Sequence, residues 1–255
     1  MSRVFITGST DGLGYAAAQA LMKEGHEVVL HARSLERANT FADLARRSVG
    51  VVIGDLSSAV ETRNVAEQVN VIGRMDAVIH NAGIYRAASR SATPEGHART
   101  LAVNMLAPYI LTGLIERPCR LVYLSSGMHR DGTPLLSDID WVERRWDQTR
   151  AYCESKLYIT ALAFAVARLW PDVLSNAVDP GWVPTKMGGT GASDDLEMGH
   201  LTQTWLAVSN DSAATVSGGY WYHRKRQHPA PEVSDSLFQK QLATTLAQLT
   251  GVSLC

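Results

Sequence analysis

The sequence predicts an α/β protein: a mostly parallel, doubly wound sheet with helices on both faces. Two observations carry this. Short apolar, β-branched runs alternate with helix-patterned segments along most of the chain, and the first run leads through a glycine-rich turn into a helix. The length of 255 residues suits one domain of this class. Residues 1–255 are therefore read as a single domain without linker, repeat or low-complexity tract.

The elements follow in order. Residues 3–7, Arg-Val-Phe-Ile-Thr, form the first strand, and residues 15–23 lie in the first helix. Residues 27–32 are the second strand. A helix rich in alanine and arginine precedes a third strand at 49–53, and a helix around Val65 precedes a fourth at 76–80. A helix from about Glu95 to Glu116 leads into a fifth strand at 120–124. A long alanine-rich helix after Tyr152 leads into a sixth at 173–178. Residues 219–222 make the last strand and 233–249 the last helix. The basic stretch 222–228 reads as a solvated loop. Two segments break the alternation: the polar 128–149, with Pro134, Trp141 and Trp146, and the glycine-rich 185–196. Both follow strands at the carboxyl edge of the sheet, where open α/β sheets bind ligands. Residues 128–149 and 185–200 are expected to form the substrate-pocket loops, the second as a permissive lid.

The turn Gly8-Ser9-Thr10-Asp11-Gly12-Leu13-Gly14 stands between a strand and a helix. That layout cradles a dinucleotide pyrophosphate on a helix N-terminus, because glycines let phosphate oxygens approach backbone N–H groups. The fold expectation is thus of the Rossmann type. The second strand ends His31-Ala32-Arg33-Ser34, with no carboxylate at its tip. An arginine there accommodates the 2′-phosphate of NADP, and Ser34 adds a donor. Asp11, inside the glycine turn, tempers that preference and leaves NAD as the alternative.

Tyr152 and Lys156 lie four residues apart and so share a helix face. A neighbouring cation is expected to lower the phenol pKa toward the range of an acid/base catalyst.

Thr7-Gly8-x-x-x-Gly12-x-Gly14, Asn81-Ala82-Gly83, Ser125-Ser126, Tyr152-x-x-x-Lys156 and Pro180-Gly181 occur in this order. The chain thereby resembles the short-chain dehydrogenase/reductase family from Arg3 to about Tyr222. The long gap between Ser126 and Tyr152 is similar to its retinol-dehydrogenase-like branch. The resemblance implies a catalytic set of Asn104, Ser126, Tyr152 and Lys156. Tyr152 would be the general acid, Lys156 would also hold the cofactor ribose, and Asn104 would hold a water relay to the lysine. Ser126 is preferred to Ser125 by family register. The implied cofactor contacts are Gly8, Ser9, Thr10, Gly12, Leu13 and Gly14 in the turn, with Arg33 and Ser34 beyond the second strand. They continue through Asp55, Leu56, Asn81, Ala82 and Gly83, with Tyr152 and Lys156, to Pro180, Gly181, Val183 and Thr185 on the nicotinamide side. A plain turn or cap role competes for Asp55, and a structural hydrogen bond competes for Asn104.

The chain is 45% hydrophobic and 19% charged with net charge −1, which suits a packed core and argues against a nucleic-acid partner. Three cysteines, Cys119, Cys153 and Cys255, lack metal-ligand spacing and suit a reducing cytoplasm. No leader pattern and no apolar stretch of about 18 residues stands out, so neither a membrane partner nor a metal is expected. A homo-oligomer is compatible with the resemblance. The functional expectation is hydride transfer between NADP(H) and a small or medium apolar carbonyl or alcohol. The alternative is a non-catalytic dinucleotide sensor or scaffold on the same fold.

Overall fold

A computed structural model describes residues 1–85 and 88–254. The strands are β1 (Arg3–Ile6), β2 (Glu27–Ala32), β3 (Gly50–Ile53), β4 (Ala77–His80), β5 (Arg120–Leu124), β6 (Leu174–Asp179), β7 (Gly219–Tyr222) and β8 (Lys225–Gln227). They form one sheet in the order β3-β2-β1-β4-β5-β6-β7-β8. The first seven are parallel, and only β8 pairs antiparallel, with β7. The helices are α1 (Gly12–Lys23), α2 (Leu35–Asn39), α3 (Ala42–Arg47), α4 (Ala59–Ile72), α5 (Arg99–Leu101), α6 (Ala107–Leu114), α7 (Gln148–Leu169), α8 (Leu196–Val208), α9 (Pro231–Ser234) and α10 (Ser236–Thr250).

Strand residues alternate between two cores, as a pleat of period two requires. Phe5, Val29, Val78, Leu121, Tyr123, Ala177 and Tyr220 point into the core shared with α4, α6, α7 and α10. Val4, Ile6, Leu30, Ile79, Val122, Val178 and Trp221 point into the other, shared with α1 and α8. Burial on both faces explains the near-continuous apolar runs in the sequence. Helix α7 is buried along most of its length, from Ala151 to Val166.

The structure corrects several boundaries. The segment 222–228 is not a loop: it turns at His223 and Arg224, with φ of 47° and 60°, into the edge strand β8. Two consecutive left-handed residues give the turn the twist of a tight hairpin, without the asparagine or glycine that would have advertised it. The helix expected at 95–116 begins at Arg99 and passes through a π turn, Ala102–Leu106, before α6. The alanine- and arginine-rich helix is two short ones, α2 and α3. The last helix is also divided, because Asp235 ends α9 and caps α10 by accepting from the Leu237 N–H. Helix α8, absent from the sequence reading, fills 196–208.

Between β1 and α1 the backbone passes very close to its neighbours. A Cβ on Gly14 would sit 2.4 Å from both the Gly8 carbonyl oxygen and Asn81 Nδ2. Gly14→Ala is expected to cost about 1–3 kcal/mol or more, since overpacking against backbone cannot relax cheaply. A lowered urea midpoint with unchanged slope would show this; an unchanged midpoint would contradict the packing described.

Candidate active site

The strand order reverses at β1, which has β2 on one side and β4 on the other. Loops leaving the carboxyl ends of β1 and β4 diverge there and open a crevice. A cavity of about 360 Å³ fills it. Its walls are the glycine turn, Arg33 and Asp55 beyond β2 and β3, residues 81–84 beyond β4, Leu124 and Ser125, Tyr152 and Lys156 on α7, and Pro180 with residues 185–187 beyond β6.

The glycine turn is held from three directions. Gly8 and Gly12 take φ of +64° and +53°, a region that favours glycine. Asn81 Nδ2 donates to the carbonyls of Thr7 (3.0 Å) and Gly8 (3.3 Å), and the Ala82 N–H donates to Thr7 Oγ1 (3.0 Å). Buried His31 accepts from the Gly8 N–H at Nδ1 (2.9 Å), while its Nε2 stands 2.9 Å from the Gly54 carbonyl. Only the neutral ring protonated at Nε2 satisfies both. Burial pushes the His31 pKa down, with the Gly54 carbonyl and Asp55 opposing. Asp11 caps α1 through the Gly12 N–H (2.8 Å) and pairs with Lys186 and, at 3.6 Å, with Arg37. The Lys186 hydrogen bond leads the causes holding its carboxyl below the usual range. Lys186 thereby ties the segment after β6 to the glycine turn.

Helix α7 starts at Asp147, whose carboxylate accepts from the N–H groups of Thr149 and Arg150. One turn further in, Tyr152 and Lys156 lie 7% and 5% exposed. The ammonium stands 5.5 Å from the ring centroid and donates to the Leu124 carbonyl at 2.8 Å. Burial pushes the phenol pKa up to about 12, only partly offset by a hydrogen bond with Ser126. Burial likewise pushes Lys156 down to about 8, with Asp179 opposing. The expected lowering of the phenol pKa is thus reversed: desolvation exceeds any help from a cation whose own hydrogen bond goes to Leu124.

The two serines part company. Ser125 turns inward onto Thr160 Oγ1 (2.6 Å), whereas Ser126 bonds the phenol and accepts from the Met128 N–H (3.3 Å). Asn104 lies in the π turn, and its amide clamps the loop after β4. Oδ1 accepts from the Ile84 N–H (2.8 Å); Nδ2 donates to the Ile84 carbonyl and to Ser155 Oγ (both 2.9 Å). A Cβ on Gly83 would lie 3.5 Å from both Asn104 Oδ1 and Lys156 Nζ, so the backbone there passes close to both groups.

Gly8, Thr10, Gly12, Leu13, Arg33, Asp55, Leu56, Asn81, Ala82, Gly83, Tyr152, Lys156, Pro180 and Thr185 line the cavity. Ser9, Gly14, Ser34, Gly181 and Val183 do not. Ser9 is buried, its hydroxyl accepting from the His31 N–H (2.8 Å), and Ser34 caps α2 through the Arg37 N–H (3.4 Å). Asp55 accepts from the N–H and hydroxyl of Ser57, so its turn role stands beside its place on the wall. None of residues 128–149 reaches the cavity. Arg144 bonds Asp138 and both carboxylate oxygens of Glu154, and Trp141 Nε1 donates to Glu154, which folds that segment onto α7 instead. Residues 185–187 do reach the cavity, and the segment around them makes several hydrogen bonds. Trp182 Nε1 donates to the Gly188 carbonyl, and the Asp194 carboxylate accepts from the Trp182 N–H and the Tyr222 hydroxyl.

Sequence reasoning missed His31, Lys186 and Tyr85, whose ring meets that of Tyr152 edge-on at 4.8 Å. Asn-Ala-Gly just upstream was the only signal near Tyr85. Among the described residues no group of three or more histidines, cysteines and acids could hold a metal. No helix among them is long and apolar enough to cross a membrane.

Residues 2–126 match the family model for short chain dehydrogenase. The chain is 40% identical to the short-chain dehydrogenase chyC of Penicillium rubens, over 100% of this chain and 99% of that one. It is 29% identical to human retinol dehydrogenase 13, over 98% of this chain and 84% of the relative. A crystal structure of an uncharacterized protein from Mycobacterium paratuberculosis superposes with a TM-score of 0.85 at 24% identity, covering 100% of this chain and 95% of that one.

His31 and His80 are both buried, and burial lowers both pKa values, His80 to about 3. An unfolded histidine takes its proton near pH 6.5 (about). Between the folded and unfolded values the unfolded chain binds more protons, so stability rises with pH. The contribution is complete above about pH 6.5 and is lost as pH falls below it. His97, raised by its Asp140 hydrogen bond, has the opposite sign. The urea midpoint is expected to fall between about pH 7.5 and about pH 5.5, and to fall less in His80→Phe. An equal fall in wild type and variant would contradict the assignment.

Proposed function

The chain belongs to the short-chain dehydrogenases, oxidoreductases that use a nicotinamide cofactor, and from this we propose that it is an NADP(H)-dependent carbonyl reductase or alcohol dehydrogenase. Its substrate is a small or medium apolar carbonyl or the matching alcohol. The observation that carries the reading is the buried phenol of Tyr152 at the cavity wall, hydrogen-bonded with Ser126 and one helical turn from the Lys156 ammonium. Ile84, Val103, Leu124 and Met187 contribute apolar wall, which suits an apolar substrate.

The residues present fit a dinucleotide. The glycine turn presents backbone N–H groups at the start of α1, where Gly8, Thr10, Gly12 and Leu13 line the cavity and an anionic pyrophosphate is favoured. Asp55, Leu56, Asn81, Ala82 and Gly83 would hold the adenosine half. Pro180, Gly181, Val183 and Thr185 would hold the nicotinamide half, and Arg33 with Ser34 the 2′-phosphate. When bound, the nicotinamide supplies or accepts the hydride. In the reducing direction Tyr152 Oη gives its proton to the carbonyl oxygen, and the Ser126 hydroxyl donates a hydrogen bond to the same oxygen. A phenol held near 12 stays protonated until that transfer. Lys156 stabilises the phenolate that remains, and Asn104, whose Oδ1 lies beside Gly83 as Lys156 Nζ does, would hold the water relay that returns the proton.

Tyr152→Phe removes the proton donor while keeping the ring. Turnover of NADPH with a confirmed ketone or aldehyde is expected to fall about 10²–10⁴-fold, with cofactor binding retained. Activity within roughly tenfold of wild type would show that the tyrosine is not the acid.

Arg33 is exposed at the cavity wall with Arg37 on the next helix. A hydrogen bond to a charged group is worth about 1.5–3 kcal/mol. NADPH is expected to bind roughly ten- to a hundredfold more tightly than NADH, with most of the difference lost in Arg33→Ala. Equal dissociation constants in the wild-type protein would remove NADP from the assignment.

A further inference from the structure

His129 is fully buried in the short 3-10 turn Gly127–Asp131, three residues beyond Ser126, and the chemistry above gives it no task. Both ring nitrogens are nevertheless engaged. Nδ1 stands 2.8 Å from the Ser126 carbonyl oxygen, and the Ala230 N–H donates to Nε2 at 2.9 Å. A carbonyl can only accept and a backbone N–H can only donate. The ring is therefore neutral, with its proton on Nδ1. Burial, which disfavours the imidazolium, acts in the same direction.

The ring thus joins the serine loop to the segment between β8 and α9, about a hundred residues away in sequence. The ring packs tilted against Tyr220, 4.6 Å between centroids, and the Tyr220 hydroxyl donates to Asp179 at 2.9 Å. Asp179 also accepts from the Gly181 N–H (3.0 Å) and would lie 3.2 Å from a Cβ on Gly127. Arg130, Asp131 and Asp179 are the charged groups that act on the ring.

We propose that His129 is a positioning residue, whose neutral imidazole fastens the Ser126 carbonyl to Ala230 and so sets the Ser126 hydroxyl against Tyr152. The proposal rests on the reading of Ser126 and Tyr152 as reacting groups. The Ser126 carbonyl receives two donors, the His129 N–H (3.1 Å) and Nδ1, and the Ser126 side chain lies in the same residue. Losing the Nδ1 bond leaves that carbonyl only the longer backbone bond, which loosens the serine against the phenol, and small misplacements of reacting groups cost up to about a hundredfold in rate.

The test compares His129→Asn with His129→Gln in NADPH-dependent ketone reduction, alongside Tyr152→Phe. An asparagine amide can replace Nδ1–H toward Ser126; a glutamine reaches Ala230 but not the serine carbonyl. His129→Asn is expected to keep kcat within about fivefold of wild type, and His129→Gln to lose roughly ten- to a hundredfold in kcat with little change in cofactor KM. Two variants that fall together, or two that both stay within that fivefold, overturn the proposal. A histidine ring NMR spectrum of the wild-type protein needs no variant to fold: it should show the Nδ1–H tautomer at neutral pH, and an Nε2–H or imidazolium signal overturns the proposal as well. An active Tyr152→Phe would bring down the reading beneath it, whereas an inactive one beside two unaffected His129 variants brings down this inference alone.

Discussion

The rest of the structure depends on keeping a phenol and an ammonium out of water on one face of α7. Tyr152 and Lys156 are both nearly inaccessible; an unpartnered buried charge costs several kcal/mol and an unpaired buried hydroxyl about 1–3 kcal/mol. Each is therefore matched: Lys156 by the Leu124 carbonyl at the end of β5, Tyr152 by Ser126 just beyond it. The same strand end thus serves both groups, and β5 must lie beside α7 for either to be satisfied. The remaining sides of α7 are covered by β6, α9, α10 and the turn behind Ser126. Residues 138–144 add a clamp through Arg144 and Glu154, two residues from the tyrosine. That burial is also what sets the acid–base character of the pair, since desolvation is the leading cause of both shifts.

The glycine turn is governed by a complementary constraint. Backbone N–H groups meant for a ligand must stay open while the turn that carries them is held still. His31, Asn81 and Thr7 do the holding from the ends of β2, β4 and β1. Asp11 adds a tie to Lys186 on the segment beyond β6, so the two halves of the crevice meet at its rim.

Strands were legible in the sequence because burial on both faces leaves runs such as 27–32 and 120–124 with little but apolar residues. The glycine turn and the Tyr152–Lys156 spacing were legible because they constrain backbone or helix face locally. Helix α8 was not: it buries Gly199, Thr202, Gln203 and Thr204 beside Leu206 and Ala207, so polar residues occupy its inner face and blur the period. The packing of the 128–149 segment was not legible, because it is decided by Arg144 meeting Glu154 on another element, a contact without local signature. The phenol pKa was misjudged for the same kind of reason. Spacing along a helix shows that a cation is near, but not that both groups lack water. The backbone bonds of Ser9 and Ser34 were not legible either, since a serine's hydrogen-bond partner is settled by its rotamer.

The central claim is that desolvation, not the neighbouring ammonium, sets the state of Tyr152. The most direct measurement is a pH titration of the Tyr152 ring carbon in protein labelled at tyrosine, with Tyr152→Phe to identify the signal. The phenol is expected to titrate near 12, well above an ordinary tyrosine. A Tyr152 that titrates at or below about 10, the ordinary value, would contradict it.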